Sequence, residues 1–141
     1  MKTKLLLIAF LLLSGMAAQA QDQQVMRAEL PSVVRKFLKN FRSPFNHAVK
    51  QTSDKTVWYN IVLNDETKIQ FTHDGVWRSI DGKGKPVKCK FLKKEITDYV
   101  GVNYPTESIT KVESAKSQYK LYLTNGTVLK FDQNGTPLKK A

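Results

Sequence analysis

The chain has 141 residues, with 23 Lys and Arg against 12 Asp and Glu, 41% hydrophobic residues, two His and a single Cys. That length suits one domain or two very small ones, and 25% charged with 10% aromatic residues is a globular composition rather than a disordered one. One Cys excludes an internal disulfide framework and a Cys-only zinc site, and two His leave little for histidine chemistry.

The first element is an address. Lys2 and Lys4 form a positive start, residues 5–13 are an almost unbroken apolar run, and Ala18-Gln19-Ala20 offers small residues to a peptidase. This pattern predicts a signal peptide over residues 1–20, cleaved after Ala20. An apolar core of about ten residues is too short to span a bilayer, which needs roughly 20. Leu13-Ser14-Gly15 is followed by Met16 and not by Cys, which argues against a lipoprotein. The expected location is the periplasm or the exterior, with no transmembrane segment after cleavage. Loss of Lys2 and Lys4 leaves 21 basic and 12 acidic residues, a formal charge of +9. Such a surplus favours an acidic partner, and export makes nucleic acid an unsuitable one.

Next comes an apolar stripe, Val33, Val34, Phe37, Leu38 and Phe41, at the spacing of an amphipathic helix with Pro31 in its first turn. Alternation follows: Val57, Tyr59, Ile61 and Leu63 face one way, and Trp58, Asn60 and Val62 the other. Pairing Ile61 with Ile69 and Tyr59 with Phe71 keeps core with core and requires a three-residue loop ending at Glu66. Asp74-Gly75 marks a second turn and a short third strand near residues 76–80. A lysine-rich connection leads to a second stripe, Leu92, Ile96, Tyr99, Val100 and Tyr104, which stops at Pro105. The second hairpin pairs Leu121 with Leu129 and Tyr119 with Phe131 around Thr124-Asn125-Gly126. Here Gly126 takes the left-handed position of a bulged turn; in the first hairpin Glu66 stands at that position, so either Glu66 is strained or that loop differs.

These segments repeat. Residues 59–63 match 119–123 and residues 69–75 match 129–135 at an offset of 60, and Leu30, Val34, Phe37 and Leu38 match Leu92, Ile96, Tyr99 and Val100. The reading is one domain over residues 21–141, built of two repeats at about 28–80 and 90–138. Its expected fold class is α+β: two tandem helix-plus-antiparallel-hairpin repeats, sharing a sheet or packed closely, with helices on one sheet face.

Residues 92–105, read as L-x-x-x-I-x-x-Y-V-x-x-N-Y-P, with Tyr119-Lys120-Leu121-Tyr122-Leu123, Asn125-Gly126 and Phe131-Asp132-x-x-Gly135, resemble the PepSY-like family of secreted bacterial proteins, also termed β-lactamase-inhibitor-like. The resemblance covers residues 28–138. It departs at Lys93, where the family usually has Pro after the leading Leu, and in the lysine-rich connection. It implies a non-enzymatic binding module, an inhibitor among the options, gripping its partner with the open sheet face and loops.

The open face is expected to carry Trp58, Asn60, Val62, Lys68, Gln70, Lys120, Tyr122 and Lys130. Trp and Tyr supply contact area there and Lys and Gln a polar rim. A second candidate is the run Lys83, Lys85, Lys88, Lys90, Lys93 and Lys94, with Gly82 and Gly84 suggesting a mobile linker whose charge also shields a sheet edge. Its functional reading is an electrostatic patch toward acidic protein or anionic membrane. The acidic tip Asn64-Asp65-Glu66-Thr67 reads as ordinary turn chemistry, as does His73-Asp74, and His47 has no identifiable partner. Cys89 reads as a small buried apolar residue. There is no phosphate loop, H-E-x-x-H, C-x-x-C or G-x-S-x-G, and no catalytic, metal or cofactor site is expected. The expected function is protein binding in the envelope or exterior, as an inhibitor or regulator of a hydrolase. The alternative is a basic envelope-surface protein held to anionic lipid or polysaccharide.

Overall fold

The computed structural model describes residues 20–138. The signal-peptide reading therefore lies outside the described residues except for Ala20. Eight strands follow one another in a single antiparallel sheet whose spatial order is the chain order. They are β1 (Ala20–Val25), β2 (Phe45–Ser53), β3 (Thr56–Leu63), β4 (Lys68–Thr72), β5 (Trp77–Asp81), β6 (Ile109–Ala115), β7 (Gln118–Leu123) and β8 (Val128–Asp132). Two short helices interrupt them: α1 (Ser32–Phe37) between β1 and β2, and α2 (Lys94–Asn103) between β5 and β6.

The expectation of two tandem helix-plus-hairpin repeats is overturned by this topology. β5 pairs directly with β6, Ser79 opposite Glu113 and Ile80 opposite Val112, so the sheet runs unbroken through the middle of the chain. Among the described residues helix is confined to segments of six and ten residues, apart from short 3-10 turns at Arg27–Glu29 and Leu38–Asn40. The molecule is mostly one eight-stranded sheet. A single cross-strand row passes through every strand: Val25, Ala48, Ile61, Ile69, Ile80, Val112, Leu121 and Leu129 stand opposite one another in turn. All eight are buried, none more than 8% exposed. Each large apolar side chain so buried contributes about 1.5–3 kcal/mol, and this row fixes which face of every strand turns inward.

The hairpin registers are those the alternation requires, with Tyr59 opposite Phe71 and Tyr119 opposite Phe131. Both loops close alike. Leu63 N–H donates to the Thr67 carbonyl (3.0 Å) and Glu66 N–H to the Leu63 carbonyl (3.0 Å), matched by Leu123 to Thr127 (2.9 Å) and Gly126 to Leu123 (3.0 Å). Glu66 adopts φ 72° where Gly126 has 86°. The first loop thus keeps its shape with a side chain in a left-handed position. Gly75 and Gly135, also at positive φ, lie under the helices: a Cβ at Gly75 would run into Val33 and one at Gly135 would meet Glu95 at 3.2 Å.

The first apolar stripe does not form one helix. α1 stops at Phe37, a 3-10 turn follows, and Phe41 is extended at φ −109° and ψ 141°. Asn40 Nδ2 donates to the freed Phe37 carbonyl (2.8 Å), which closes the helix end. Val33, expected in the core, is 48% exposed, while Val34 is fully buried. Stopping early lets Phe37 and Phe41 turn sideways onto Phe91, with centroids 5.4 and 6.1 Å away. A bulge between Gln70 and Phe71 aims Trp77 inward. There it packs edge-on to Phe91 (5.2 Å) and stacks on Tyr119 (6.1 Å), joining the two hydrophobic clusters of the core.

Candidate functional site

With both helices packed over the buried row, no element among the described residues covers the opposite sheet face. Two cross-strand rows dominate it. One runs Gln24, Val49, Asn60, Gln70, Ser79, Glu113, Lys120 and Lys130; the other runs His47, Val62, Lys68, Asp81, Lys111, Tyr122 and Val128. The alternation in the sequence thus places Trp58, Asn60, Val62, Lys68, Gln70, Lys120, Tyr122 and Lys130 on one face.

The face has two halves of different chemistry. Over β2–β5 a hollow of about 390 Å³ is lined by His47, Val49, Gln51, Asn60, Lys68 and Asp81 among others. Its floor carries an amide ladder: Asn60 Nδ2 donates to Gln51 Oε1 (3.2 Å) and Gln70 Nε2 donates to Asn60 Oδ1 (3.1 Å). The ladder couples the three amides, the orientation of each setting that of the next, and ends on Gln51 Nε2 and Gln70 Oε1. Trp58, half-buried, stands one row away, opposite Gln51 and Thr72.

Over β6–β8 the face is charged. Tyr122 donates its hydroxyl to Glu113 Oε1 (2.5 Å), and the ammonium groups of Lys111 and Lys120 stand 5.2 and 5.3 Å from its ring centroid. Tyr122 is therefore held in place by its own neighbours before any partner arrives. At about 4.8 Å per strand, β3 and β7 are roughly 19 Å apart. Trp58 and Tyr122 are brought to one face but not to one cluster, and they define opposite ends of a patch.

Sequence reasoning missed His47, Gln51, Lys111 and Glu113 because they lie on β2 and β6, strands with little apolar alternation. The signal available was the hairpin pattern itself: a β3 paired on one edge only would leave its other ladder groups without partners.

The lysine connection is not a loose linker. Gly82 N–H donates to the Thr110 carbonyl (2.8 Å) and Val87 N–H to the Ile109 carbonyl (2.7 Å). Gly82 is buried, and a Cβ there would strike the Lys85 carbonyl. The connection lies against the start of β6, an interior strand, so it shields no sheet edge. Lys83, Lys85, Lys88, Lys90, Lys93 and Lys94 are all exposed. Lys83 and Lys94 have carboxylates at 3.8 and 2.7 Å, from Asp81 and Asp98, and Lys85 Nζ donates to the Asp65 carbonyl (3.3 Å). Lys88, Lys90 and Lys93 have no carboxylate within 4.0 Å among the described residues. Cys89 is partly buried, its thiol donates to the Val87 carbonyl (3.3 Å), and burial pushes its pKa up to about 12. Such a thiol is a poor nucleophile. His73 Nε2 lies 2.9 Å from Asp74 at an exposed turn, and His47 Nδ1 lies 2.8 Å from Asn46 Oδ1. Among the described residues no three His, Cys, Asp or Glu side chains gather as a metal site, and no helix is long and apolar enough to cross a membrane.

An antiparallel meander, covered by helices on one face and carrying preset polar and aromatic side chains on the other, belongs to the class of open-faced sheet scaffolds. The sequence pattern of the family described as "putative beta-lactamase-inhibitor-like, PepSY-like" matches residues 57–139, more than half of the chain, and the protein belongs to that family. Similar solved structures include the following three. A "putative calcium-regulated periplasmic protein" from Bacteroides thetaiotaomicron superposes with a TM-score of 0.78 at 26% identity, over 84% of this chain and 94% of that one. A "putative periplasmic protein of unknown function" from Bacteroides vulgatus gives 0.77 at 29% identity, over 84% and 98%. Another "putative periplasmic protein" of that species gives 0.76 at 25% identity, over 84% and 95%. No curated protein matches the sequence.

Proposed function

We propose that the protein is a non-enzymatic periplasmic binding module that grips another protein with its open sheet face and restrains or regulates a hydrolase of the envelope. The observation that carries this reading is the sheet face left uncovered by the helices, where Trp58 stands beside a preset amide ladder and Tyr122 is held among charged neighbours at the other half. Preorganised polar groups and a Tyr122 ring held by its neighbours lower the ordering cost of association, the property an interface needs. The inhibitor-like family description and the periplasmic neighbours support the location and class, as does the signal-peptide pattern of residues 1–20, with cleavage after Ala20 as part of the proposal. Lysines around the face adjust encounter rate with an acidic partner.

A second reading rests on Lys88, Lys90 and Lys93, exposed on a pinned segment with no nearby carboxylate: attachment to anionic lipid or polysaccharide. One experiment separates the two. The exported protein, a Trp58→Ala/Tyr122→Ala variant and a Lys88→Gln/Lys90→Gln/Lys93→Gln variant, each checked for retained fold by circular dichroism, are used to capture envelope extract. The first reading predicts a stoichiometric protein partner lost with the aromatics and kept without the lysines. A partner held equally by the aromatic variant contradicts it. Anionic lipid or polysaccharide lost only with the lysines establishes the second.

A further inference from the structure

The two edges of the sheet are not alike. Beyond β8 the chain turns at Gly135 and folds back along the strand: Asp132 N–H donates to the Thr136 carbonyl (2.9 Å), Leu138 N–H to the Lys130 carbonyl (2.8 Å), and Phe131 is bridged to Pro137. A returning segment with a proline is how natural sheets blunt an edge. β1 has no such guard. Its six residues pair with β2 in unbroken register, with no bulge, and contain neither Pro nor Lys. Among the described residues no strand pairs with its outer side. Alternate backbone N–H and C=O groups of β1 therefore face outward as a ready ladder.

Beside the end of this edge is a hollow of about 480 Å³. Val25, Met26 and Phe45 supply its apolar part, and Arg27 and His47 lie on its rim. Met26 is 72% exposed although its backbone is fixed, its N–H donating to Glu29 Oε2 (2.5 Å). Arg27 has no carboxylate within 4.0 Å among the described residues.

We propose that the outer edge of β1 is a second binding site, which takes an extended segment of an acidic partner as a ninth strand. One apolar side chain of that segment sits between Met26 and Phe45, and a neighbouring carboxylate faces Arg27. Backbone bonds along the edge supply affinity and the hollow supplies selectivity. A second copy of this chain fits poorly: its own edge residues 21–24 are Gln, Asp, Gln and Gln, with no apolar anchor among them, and two chains with the same positive excess repel. The site adjoins one corner of the open face, where His47 borders both hollows, but it contains neither Trp58 nor Tyr122 and does not depend on the function proposed for that face.

The test uses ten-residue peptides, capped at both ends, with Val or Thr at alternate positions, a central Leu or Phe, and either Glu or Lys beside it. They are titrated by fluorescence anisotropy against the exported protein. The Glu peptides are expected to bind, and the Lys peptides to bind about tenfold more weakly or less. N-methylation of one alternating set of peptide amides should cost at least about tenfold, and of the other set little, because only one set faces the ladder. Met26→Ala and Arg27→Gln should each weaken binding, and Trp58→Ala/Tyr122→Ala should leave it unchanged. Absence of binding by every peptide, indifference to which amides are methylated, or a β1-paired dimer that excludes the peptides overturns the proposal. Loss of binding only in the Trp58/Tyr122 variant moves the peptides to the open face, sinking the edge site while sparing that face.

Discussion

At Glu66 the backbone holds a side chain at φ 72°, where the corresponding loop has Gly126. A left-handed L-residue costs roughly 1–2 kcal/mol, part of which a glycine recovers before its own greater unfolded-state entropy is counted. Glu66→Gly is therefore expected to raise stability by about 0.5–1 kcal/mol in urea unfolding, and a loss of stability would show that the Glu66 side chain supports the loop. Its neighbour Asp65 explains how the loop tolerates the strain: Oδ1 accepts the Thr67 N–H (3.0 Å), and Asp65 N–H donates to Ser43 Oγ (2.9 Å). Burial pushes the Asp65 pKa up, but the bonds from Thr67 and Ser43 and the charge of Lys85 outweigh it and hold the pKa below the ordinary carboxylate value. A depressed folded-state pKa means the ionised form stabilises the fold above the unfolded value of about 3.9 and loses that contribution as pH falls through the lower folded value. Asp65→Ala should cost about 1 kcal/mol at neutral pH, and the difference from the natural protein should shrink as pH falls below about 4. A cost that stays constant down to about pH 2 would mean the carboxylate charge plays no part.

Among the elements, those with two well-marked faces were legible in advance. β3, β4, β7 and β8 alternate cleanly, and their registers follow from keeping Ile61, Ile69, Leu121 and Leu129 together. β1, β2 and β6 do not alternate: β2 reads FNHAVKQTS, with Ala48 its one fully buried residue, and β1 buries only Val25. β1 and β2 have a thin core beneath them, so burial exerts little pressure on their composition, and in β6 the buried Ile109 and Val112 stand three apart across a register shift, which breaks the alternation. The helical stripe misled for another reason. Phe37 and Phe41 satisfy helical spacing, yet their rings are used sideways, against Phe91 and Trp77, and not beneath one continuous helix. That aromatic seam unites the sheet. Trp77→Ala should destabilise by about 3–5 kcal/mol and lower a single unfolding transition followed by both circular dichroism and tyrosine fluorescence. Two separate transitions in the natural protein would contradict a continuous eight-stranded fold.

The whole molecule divides its labour between two sheet faces, one buried under short helices and one left bare. Half of the candidate site was visible in the sequence, since Trp58, Asn60, Gln70, Lys120 and Tyr122 fall on the outward phase of recognisable strands. The other half, from Gln51 to Lys111 and Glu113, arises only when neighbouring strands are laid beside them. Their hydrogen bonds and ring contacts make the face rigid before binding. Aromatics about 23 Å apart, four strands across and four residues along, suit a partner footprint of ordinary size, near 800 Å² on each side. The central claim is that this face is what a partner covers. Hydroxyl-radical footprinting of the protein with and without its captured partner reads side-chain exposure directly. The account predicts strong protection of Trp58 and Tyr122 on binding, with Tyr104, which packs on the helix side of the sheet, unchanged. Full reactivity of Trp58 and Tyr122 in the saturated complex would place the partner elsewhere and contradict it.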